Sequence, residues 1–223
     1  MSIQDQSPPP ATFALEELRL WTPSSAAQGI DAKRALDIAV SLVLIVLLLP
    51  VLAAISLAVA VETRGPVLFC QRRTGRHGRV FGMLKFRSMR VMEDGAEILQ
   101  ATAGDPRITR IGRVLRTTSL DELPQLFNVL LGEMSLVGPR PHAVAHDEYY
   151  GARITGYARR QNVLPGMTGW AQVNGARGET PELRQMQARV DLDLWYVAHH
   201  DFLLDLKILA KTPLEVLKRR NAC

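Results

Sequence analysis

The chain has 223 residues, two cysteines and a formal net charge of +5 at neutral pH. That length predicts one domain with an appendage and a real buried core. Two cysteines are too few for a disulfide framework or a cysteine metal site, which favours a reducing compartment. The positive charge and a pI of about 9.6 indicate an anionic partner: nucleic acid, a membrane surface or a phosphorylated substrate.

Residues 1–30 are rich in proline, serine and alanine, and we expect them to be flexible apart from a short amphipathic piece at Phe13–Trp21. Ile38–Val61 then forms an uncharged run of 24 residues. As a straight helix the run would be roughly 36 Å long, enough to cross a bilayer core. A single membrane-spanning helix is the simple interpretation, and a buried soluble helix is another.

Two features of this run favour a different topology. Pro50 lies near its midpoint, where it would remove a backbone hydrogen bond and bend a helix. Basic residues flank both ends, Lys33 and Arg34 before the run and Arg64 after it, and cytoplasmic flanks carry the excess of lysine and arginine. The sequence therefore predicts a re-entrant helix–break–helix over residues 31–65, with both ends on one side of the membrane.

Residues 66–223 are predicted to form a compact cytosolic domain that opens with a hairpin of two β-like runs, Val67–Gln71 and Val80–Phe86. Lys85 and Arg87 come at its end, and alternation would put both on one face of an extended segment. Two interpretations stay open for this pair. It is a solvated or headgroup-facing basic surface, or it contacts a nucleotide diphosphate.

A basic helix is predicted next, in the segment RITRIGRVLR at residues 107–116. Arginines recur every three residues on one side of this helix, at Arg107, Arg110 and Arg113. The opposite side is apolar, with Ile108, Ile111 and Leu115. Such a stripe usually faces solvent or a membrane. Arg116 continues the series five residues before Asp121, and we expect it to reach the same site as that carboxylate.

The segment Thr118–Pro141 is the centre of the sequence. Its apolar spacing predicts a short helix with one buried stripe, ended by Gly132, the stripe being Leu123, Leu126, Phe127 and Leu130. Ser119 and Glu122 have the spacing of a capping box. That arrangement would place Asp121 in the first turn, beside backbone N–H groups that favour phosphate.

A helix cap alone would explain this acidic pair, but two neighbours favour a functional interpretation. Pro124 is expected just beyond the first turn, where it would strain the helix. Arg140 lies between two prolines in a rigid loop, and its planar guanidinium can bind two phosphate oxygens at once. A structural turn and a phosphate-binding loop both stay open for Arg140.

The C-terminal part is predicted to be mainly helical, with the segments Ala143–Tyr150, Arg153–Asn162, Pro181–His199 and Phe202–Arg220. His142 and His146 have i, i+4 spacing without a convincing third metal ligand, so we expect ordinary surface residues. Pro165–Gly175 is predicted to be a glycine-punctuated loop able to wrap a ligand.

The last predicted helix has one apolar face, Leu203, Leu206, Leu209 and Leu217, opposite a basic face of Lys207, Lys211 and Lys218. This mix fits a helix in a membrane interface, and a core-packing helix is equally compatible. The predicted fold class is therefore a helix-rich α+β protein. It combines the re-entrant membrane helix with a compact domain that has a small β-hairpin and interfacial amphipathic helices.

Several long motifs in the same order resemble those of the monotopic phosphoglycosyl transferases, the bacterial sugar transferase family. They are KRALD, KFRSM, SLDELPQLFNVLLGEMSLVGPRP, PGMTGWAQVNG and LDLKI. The likeness runs from Lys33 to about Leu217. Arg177–Thr180, RGET, resembles the hexose-1-phosphate branch that uses UDP-glucose or UDP-galactose. Many members of that branch carry a multi-helix membrane domain, so this chain resembles the minimal catalytic form.

The resemblance implies transfer of a phosphosugar from a UDP-sugar to undecaprenyl phosphate at the cytoplasmic face of the bacterial inner membrane. Asp121 would be the nucleophile and a Mg²⁺ ligand, with Glu122 in a supporting role. An aspartate is already ionised at neutral pH, because its pKa is about 3.9. Mg²⁺ and cations such as Arg116 and Arg140 would offset the charge of the diphosphate. Membrane lipids are implied partners, nucleic acid is not, and a homodimer is compatible.

Three alternatives stay open. The basic runs would also suit a membrane-tethered nucleic-acid binder, although aromatic residues near them are sparse and no recognition motif is visible. A non-catalytic scaffold that recruits glycosyltransferases is a second alternative, which the intact Asp121–Glu122 pair disfavours. The third is the same chemistry with an N-acetylated sugar.

Overall fold

The computed structural model describes residues 31–90 and 105–217, and the predicted N-terminal segment 1–30 lies outside this part. The architecture is helix-rich α+β, as predicted, with two small two-stranded sheets. In chain order the elements are α1 (Ala32–Glu62), β1 (Leu68–Thr74), β2 (Val80–Phe86), α2 (Arg110–Thr118), α3 (Gln125–Leu131), β3 (Ser135–Val137), α4 (Val144–Gly151), β4 (Gly166–Thr168), α5 (Trp170–Val173), α6 (Leu183–His199) and α7 (Phe202–Leu217).

The apolar run forms one continuous helix, so the break predicted at Pro50 is wrong, while the re-entrant topology stays a prediction. Asp31 caps the start of α1 by accepting a hydrogen bond from the Arg34 backbone N–H at 2.7 Å. Pro50 lies inside the helix and is exposed. The lost hydrogen bond is thus on the outer side, away from the domain, where a proline bends a helix without opening a gap in the core. Within the described residues, α1 is the helix long and apolar enough to cross a membrane.

Both ends of α1 are bound to the same domain. Near its start, the Arg34 guanidinium donates to the carbonyl oxygens of Val129 and Leu130 at 2.6 and 2.8 Å. At its end, the Glu62 carboxylate accepts the backbone N–H groups of Arg110 and Ile111 at 2.8 and 3.0 Å. Between these ends one side of the helix is buried, at Asp37, Ser41, Leu52, Ile55 and Val59.

The opposite side of α1 is apolar and exposed, at Leu42, Val43, Val46, Leu47, Leu49, Leu57 and Val61. Exposed apolar area of this extent indicates a membrane or protein contact. Because the helix touches the domain at both ends, that contact lies along its side.

The hairpin prediction is confirmed. β1 and β2 pair antiparallel, from Leu68 opposite Phe86 to Thr74 opposite Val80. The first strand runs three residues further than predicted and includes Arg72 and Arg73, which the sequence placed in the connection.

The basic helix begins later than predicted. Thr109 caps α2 by accepting the Gly112 N–H at 2.8 Å, so the helix starts at Arg110. Arg107 therefore lies outside the helix, where its guanidinium pairs with Asp105 at 2.8 Å. The predicted four-arginine stripe is wrong at that position.

The glycine-punctuated segment is not a ligand-wrapping loop. It forms β4 and α5, and β4 pairs parallel with β3, Ser135 opposite Gly166 and Val137 opposite Thr168. Its backbone passes so close to the chain at Gly138 that a Cβ on Gly166 would lie 2.1 Å from the Gly138 nitrogen. Glycine is needed there for backbone packing and not for ligand access.

The main core packs β2, α3, the β3–β4 pair, α6 and α7 around Val129, Met134 and Val137. In α7 the buried residues are Asp205 and Ile208, whereas Leu203 is 74% and Leu214 58% exposed. The helix therefore packs on the core through a different face from the predicted one and keeps an apolar face exposed.

Candidate active site

Asp121 lies in a 3-10 turn, Leu120–Glu122, between α2 and α3. The predicted capping box is absent, because Ser119 adopts a left-handed conformation (φ 61°, ψ 17°) and its side chain does not cap the turn. Pro124 lies at the N-cap of α3, where no hydrogen bond is lost, so the predicted strain is also wrong. Gly132 ends α3 with φ 81°, as predicted.

The buried face of α3 also differs from the prediction. Gln125, Leu126, Asn128 and Val129 are buried, whereas Phe127 is exposed. Leu120 and Leu123 instead pack against a hydrophobic cluster to which α1, β2 and α2 all contribute, Leu52, Ile55, Val59, Phe86 and Leu115. The turn that carries Asp121 therefore shares a hydrophobic cluster with the long apolar helix.

Two cations hold Glu122. The Lys85 ammonium donates to Glu122 Oε1 at 3.0 Å, and Arg140 binds both carboxylate oxygens, with Nη1 donating to Oε2 at 3.1 Å and Nη2 to Oε1. Burial would raise the pKa of Glu122, but the charges of Arg140 and Lys85 outweigh it and hold this pKa well below its usual range. Glu122 is thus an anchor with a fixed negative charge.

The Asp121 carboxyl is in a different state. Asp121 is only 6% exposed. Its burial and the neighbouring charge of Glu122 raise the pKa of Asp121 to about 6. The charges of Lys85, Arg116 and Arg140 act in the opposite direction. Within the described residues no side chain or backbone N–H donates a hydrogen bond to this carboxylate. At neutral pH it is ionised, poorly solvated and surrounded by cations, which suits a nucleophile.

The predicted phosphate-binding N–H groups are used within the turn. The Glu122 N–H bonds to the Ser119 carbonyl at 3.2 Å and the Leu123 N–H to the Leu120 carbonyl at 3.3 Å. Side-chain cations are therefore the groups that can meet a diphosphate here.

Of the residues predicted to bind substrate, the structure brings Lys85, Arg116 and Arg140 to the acidic pair but not Arg87. The Arg87 guanidinium donates to the Thr63 and Arg64 carbonyl oxygens at 2.7 and 3.0 Å, at the C-terminal end of α1. A cation at a helix C-terminus is favoured by the helix dipole. Lys85 and Arg87 therefore do not act on one common face.

The loop that carries Arg140 rests on a buried network that the sequence did not reveal. Arg160 pairs with Asp193 at 2.8 Å and donates to the Arg140 carbonyl at 2.7 Å. His142, predicted to be a surface residue, is buried in this network, 2.5 Å from the Tyr157 hydroxyl. Burial and the charge of Arg160 hold the pKa of His142 well below its usual range. The residues that contact each other here are 15 to 33 positions apart, so no local pattern could have shown this network.

The acidic pair fits Mg²⁺ only as a cation shared with a bound diphosphate. In residues 31–90 and 105–217 no group of three or more histidine, cysteine or acidic side chains could hold a metal alone. Asp121 does offer one desolvated carboxylate without a hydrogen-bond donor, while Glu122 is occupied by Lys85 and Arg140. Mg²⁺ is commonly bound by one or two carboxylates together with substrate phosphates. The residues therefore fit a cation that arrives with a diphosphate.

The chain is similar to known proteins over most of its length. Residues 28–219 match the family described as bacterial sugar transferase. The chain is 52% identical over 180 residues to the UDP-glucose:undecaprenyl-phosphate glucose-1-phosphate transferase of Escherichia coli (strain K12), covering 81% of this chain and 39% of the relative. The protein of the same name from Xanthomonas campestris pv. campestris is 51% identical, with 86% and 40% covered.

A third relative of the same name, from Caulobacter vibrioides, is 49% identical over 190 residues, with 85% of this chain and 71% of the relative covered. The chain thus spans about two fifths of the length of the first two relatives and most of the third.

Proposed function

Because the chain belongs to the bacterial sugar transferase family, we propose that it transfers a hexose-1-phosphate from a UDP-sugar to undecaprenyl phosphate, with UDP-glucose as the favoured donor. The products are undecaprenyl-diphosphate-sugar and UMP. One observation carries the proposal. Asp121 is a buried, ionisable carboxylate that receives no hydrogen bond from the described residues, beside Lys85, Arg116 and Arg140 and in a turn that shares a hydrophobic cluster with the helix whose other side is apolar and exposed. The names of relatives at 49–52% identity support the choice of donor.

The reaction would proceed in two displacements at one phosphorus atom. An Asp121 oxygen attacks the sugar-bearing phosphorus, the bond to the bridging oxygen breaks, and UMP leaves with the electron pair. An oxygen of undecaprenyl phosphate then attacks the same phosphorus and releases the Asp121 carboxylate. Since Asp121 is deprotonated above about pH 6, the first displacement requires no general base to activate the nucleophile.

The surrounding side chains prepare the site for a charged donor. Glu122 fixes Lys85 and Arg140 in place, and these cations and Arg116 attract the diphosphate and stabilise charge on the transferring phosphoryl group. Asp121 would be the side chain that holds Mg²⁺, which would neutralise a further part of the donor charge.

We also propose a monotopic location on the cytoplasmic face of the bacterial inner membrane. Arg34 and Glu62, near the two ends of α1, both bind to the same domain. This supports placing both ends on one side of the bilayer, with the exposed apolar side of α1 in the lipid. The turn of Asp121 shares a hydrophobic cluster with α1 and would then lie near the headgroups, where the phosphate of a polyprenyl lipid is found.

Single-cysteine variants test this topology. With Cys70 and Cys223 replaced by serine, Ala32→Cys and Arg64→Cys should react with a membrane-impermeant maleimide only when the cytoplasmic side is accessible. Labelling of the two positions from opposite sides would refute the one-sided arrangement.

The activity is tested by incubating the purified chain with Mg²⁺, undecaprenyl phosphate and a panel of UDP-glucose, UDP-galactose and UDP-N-acetylglucosamine. We expect UMP release with UDP-glucose to be fastest, and a protein mass increase of one hexose phosphate when the lipid is omitted. Asp121→Asn should lose both signals, whereas Asp191→Asn, an exposed carboxylate on α6, should keep them. UMP release that occurs without a trapped adduct and persists in Asp121→Asn would refute the covalent mechanism.

The described structure does not favour the nucleic-acid-binding alternative. In the basic helix, Arg107 lies outside α2 and pairs with Asp105, so the predicted arginine stripe is interrupted, and the family match over residues 28–219 favours sugar transfer. The homodimer stays a prediction.

A further inference from the structure

A residue far along the chain reaches the turn of the proposed nucleophile. Arg177, the first residue of the RGET segment, donates a hydrogen bond from Nη2 to the side-chain oxygen of Ser119. The two residues are 58 positions apart. Ser119 is the hinge between α2, which carries Arg116, and the 3-10 turn, which carries Asp121.

The conformation of Ser119 is unusual for a residue with a side chain. Its φ of 61° lies in the left-handed region, which costs a non-glycine residue roughly 1 kcal/mol or more and persists only where the surroundings hold it. In an uninterrupted helix, positions 116 and 121 would point about 140° apart. The left-handed residue breaks that geometry and lets Arg116 act on the Asp121 carboxylate.

Arg177 is itself held from both sides. Arg189 on α6 is 7% exposed. Its Nε donates to the Ala176 carbonyl at 3.0 Å and its Nη2 to the Gly178 carbonyl at 2.6 Å. These are the carbonyls immediately before and after Arg177. The guanidinium of Arg177 is thus presented by a fixed loop rather than by a mobile surface side chain.

We propose that Arg177 is a positioning residue for the transfer reaction, acting through Ser119 to hold the turn that carries Asp121 in its reactive geometry. This inference rests on the proposed function. Its physical reason is that an in-line attack on phosphorus requires the carboxylate to be placed closely, and a displacement of about 1 Å can cost roughly 100-fold in rate. The hydrogen bond to a charged donor supplies the restraint that the left-handed Ser119 needs.

Four proteins test the proposal beside the wild type: Arg177→Ala, Ser119→Gly, the double variant, and the control Arg184→Ala, an exposed arginine on α6. Glycine adopts the left-handed conformation without strain, so Ser119→Gly removes the hydrogen-bond acceptor without forcing the turn to refold. The measurement is single-turnover UMP release from UDP-glucose without lipid acceptor, over a range of donor concentrations, with the melting temperature of each protein.

We expect each single variant to release UMP about 10–100-fold more slowly at saturating donor, as the loss of one charge-assisted hydrogen bond implies. The half-saturating donor concentration should change less than about threefold. The double variant should be no slower than the slower single variant, because both changes remove the same contact. Arg184→Ala should match the wild type, and the melting temperatures should stay close together.

Three results would overturn the proposal. Ser119→Gly could release UMP at the wild-type rate. The losses could multiply in the double variant, which would show independent roles. The half-saturating donor concentration could rise strongly in Arg177→Ala alone, which would make Arg177 a donor contact. A wild-type chain that releases no UMP overturns the proposed function and this inference with it, whereas the other results leave the proposed function intact.

Discussion

Replacing the proposed nucleophile should inactivate the protein and at the same time stabilise it. Asp121→Asn keeps the shape of the side chain but cannot attack phosphorus, so UMP release should fall to background. The stabilisation follows from burial. The folded structure raises the pKa of Asp121 from the ordinary value of 3.8 to about 6, which means that folding disfavours the charged form of this carboxyl.

The size and the pH range of the effect follow from that shift. One pKa unit corresponds to 1.36 kcal/mol, so the ionised carboxylate lowers the free energy of unfolding by up to about 3 kcal/mol. Between about pH 4 and pH 6 the folded protein binds more protons at Asp121 than the unfolded chain does, so wild-type stability falls as pH rises through this range. The full penalty is present above pH 6. The raised pKa of Asp121 already includes the opposing effect of the neighbouring cations, so no further correction for their attraction is needed.

Thermal unfolding in a chelator-containing buffer measures this, because a bound divalent cation would relieve the carboxylate. For a chain of this size about 1 kcal/mol corresponds to about 2–4 °C, so Asp121→Asn should melt above the wild type at pH 7 by up to about 6–12 °C. The difference should shrink towards pH 4. Asp191→Asn is the matched control and should not change the melting temperature at either pH.

A melting temperature of Asp121→Asn at or below that of the wild type at pH 7 would contradict the reasoning. It would show that the Asp121 carboxylate is hydrated or hydrogen-bonded in solution and is not desolvated by burial. A difference that is equal at pH 4 and pH 7 would show that it does not arise from ionisation.

Arg140→Ala and Arg140→Lys should both slow UMP release about 100-fold, because neither keeps the bidentate guanidinium donor. The free energy of unfolding should fall by only about 1–2 kcal/mol, since Lys85 still pairs with Glu122. A loss of activity no larger than the loss of folded protein would favour the structural-turn interpretation. The pKa of His142 is lowered in the folded protein, so as the pH falls the unfolded chain binds a proton at His142 before the folded protein does. The free energy of unfolding should therefore fall below pH 6.5 by up to about 1.4 kcal/mol per pH unit. The difference between the pH profiles of the wild type and His142→Asn should show that slope, and parallel profiles of the two proteins would exclude it. Gln125 is fully buried, and neither polar atom of its side chain is bonded within the described part of the chain. Gln125→Met should therefore raise the free energy of unfolding by about 1–2 kcal/mol in a denaturation curve, and a destabilised variant would show that the amide is bonded in solution.

The elements that were predicted correctly depend on short stretches of chain. The hairpin follows from two β-rich runs with a glycine-containing connection, and the end of α3 follows from Gly132, which alone accepts the left-handed conformation there without strain. The errors arose where tertiary contacts overrode a local pattern. Pro50 does not break α1, because the helix is held along its length by the domain. The spacing of Ser119 and Glu122 suggested a cap, but distant partners take up both side chains.

The candidate site shows the same division. Asp121, Glu122 and Arg140 were identified from the motif and its resemblance, whereas their electrostatics were not predictable. Lys85 and Arg87 are two positions apart, yet one meets the acidic pair and the other the end of α1.

The sequence by itself determined the main parts of this protein: a long apolar helix, a hairpin, an acidic pair and basic residues that can pair with it. Those features depend on residue type and near-neighbour spacing, which the chain carries wherever it folds. Only the tertiary structure decided that Glu122 takes the cations while Asp121 is left desolvated, and that Arg177 reaches Ser119. Burial and charge pairing depend on which distant segments pack together, and that is a property of the folded chain as a whole.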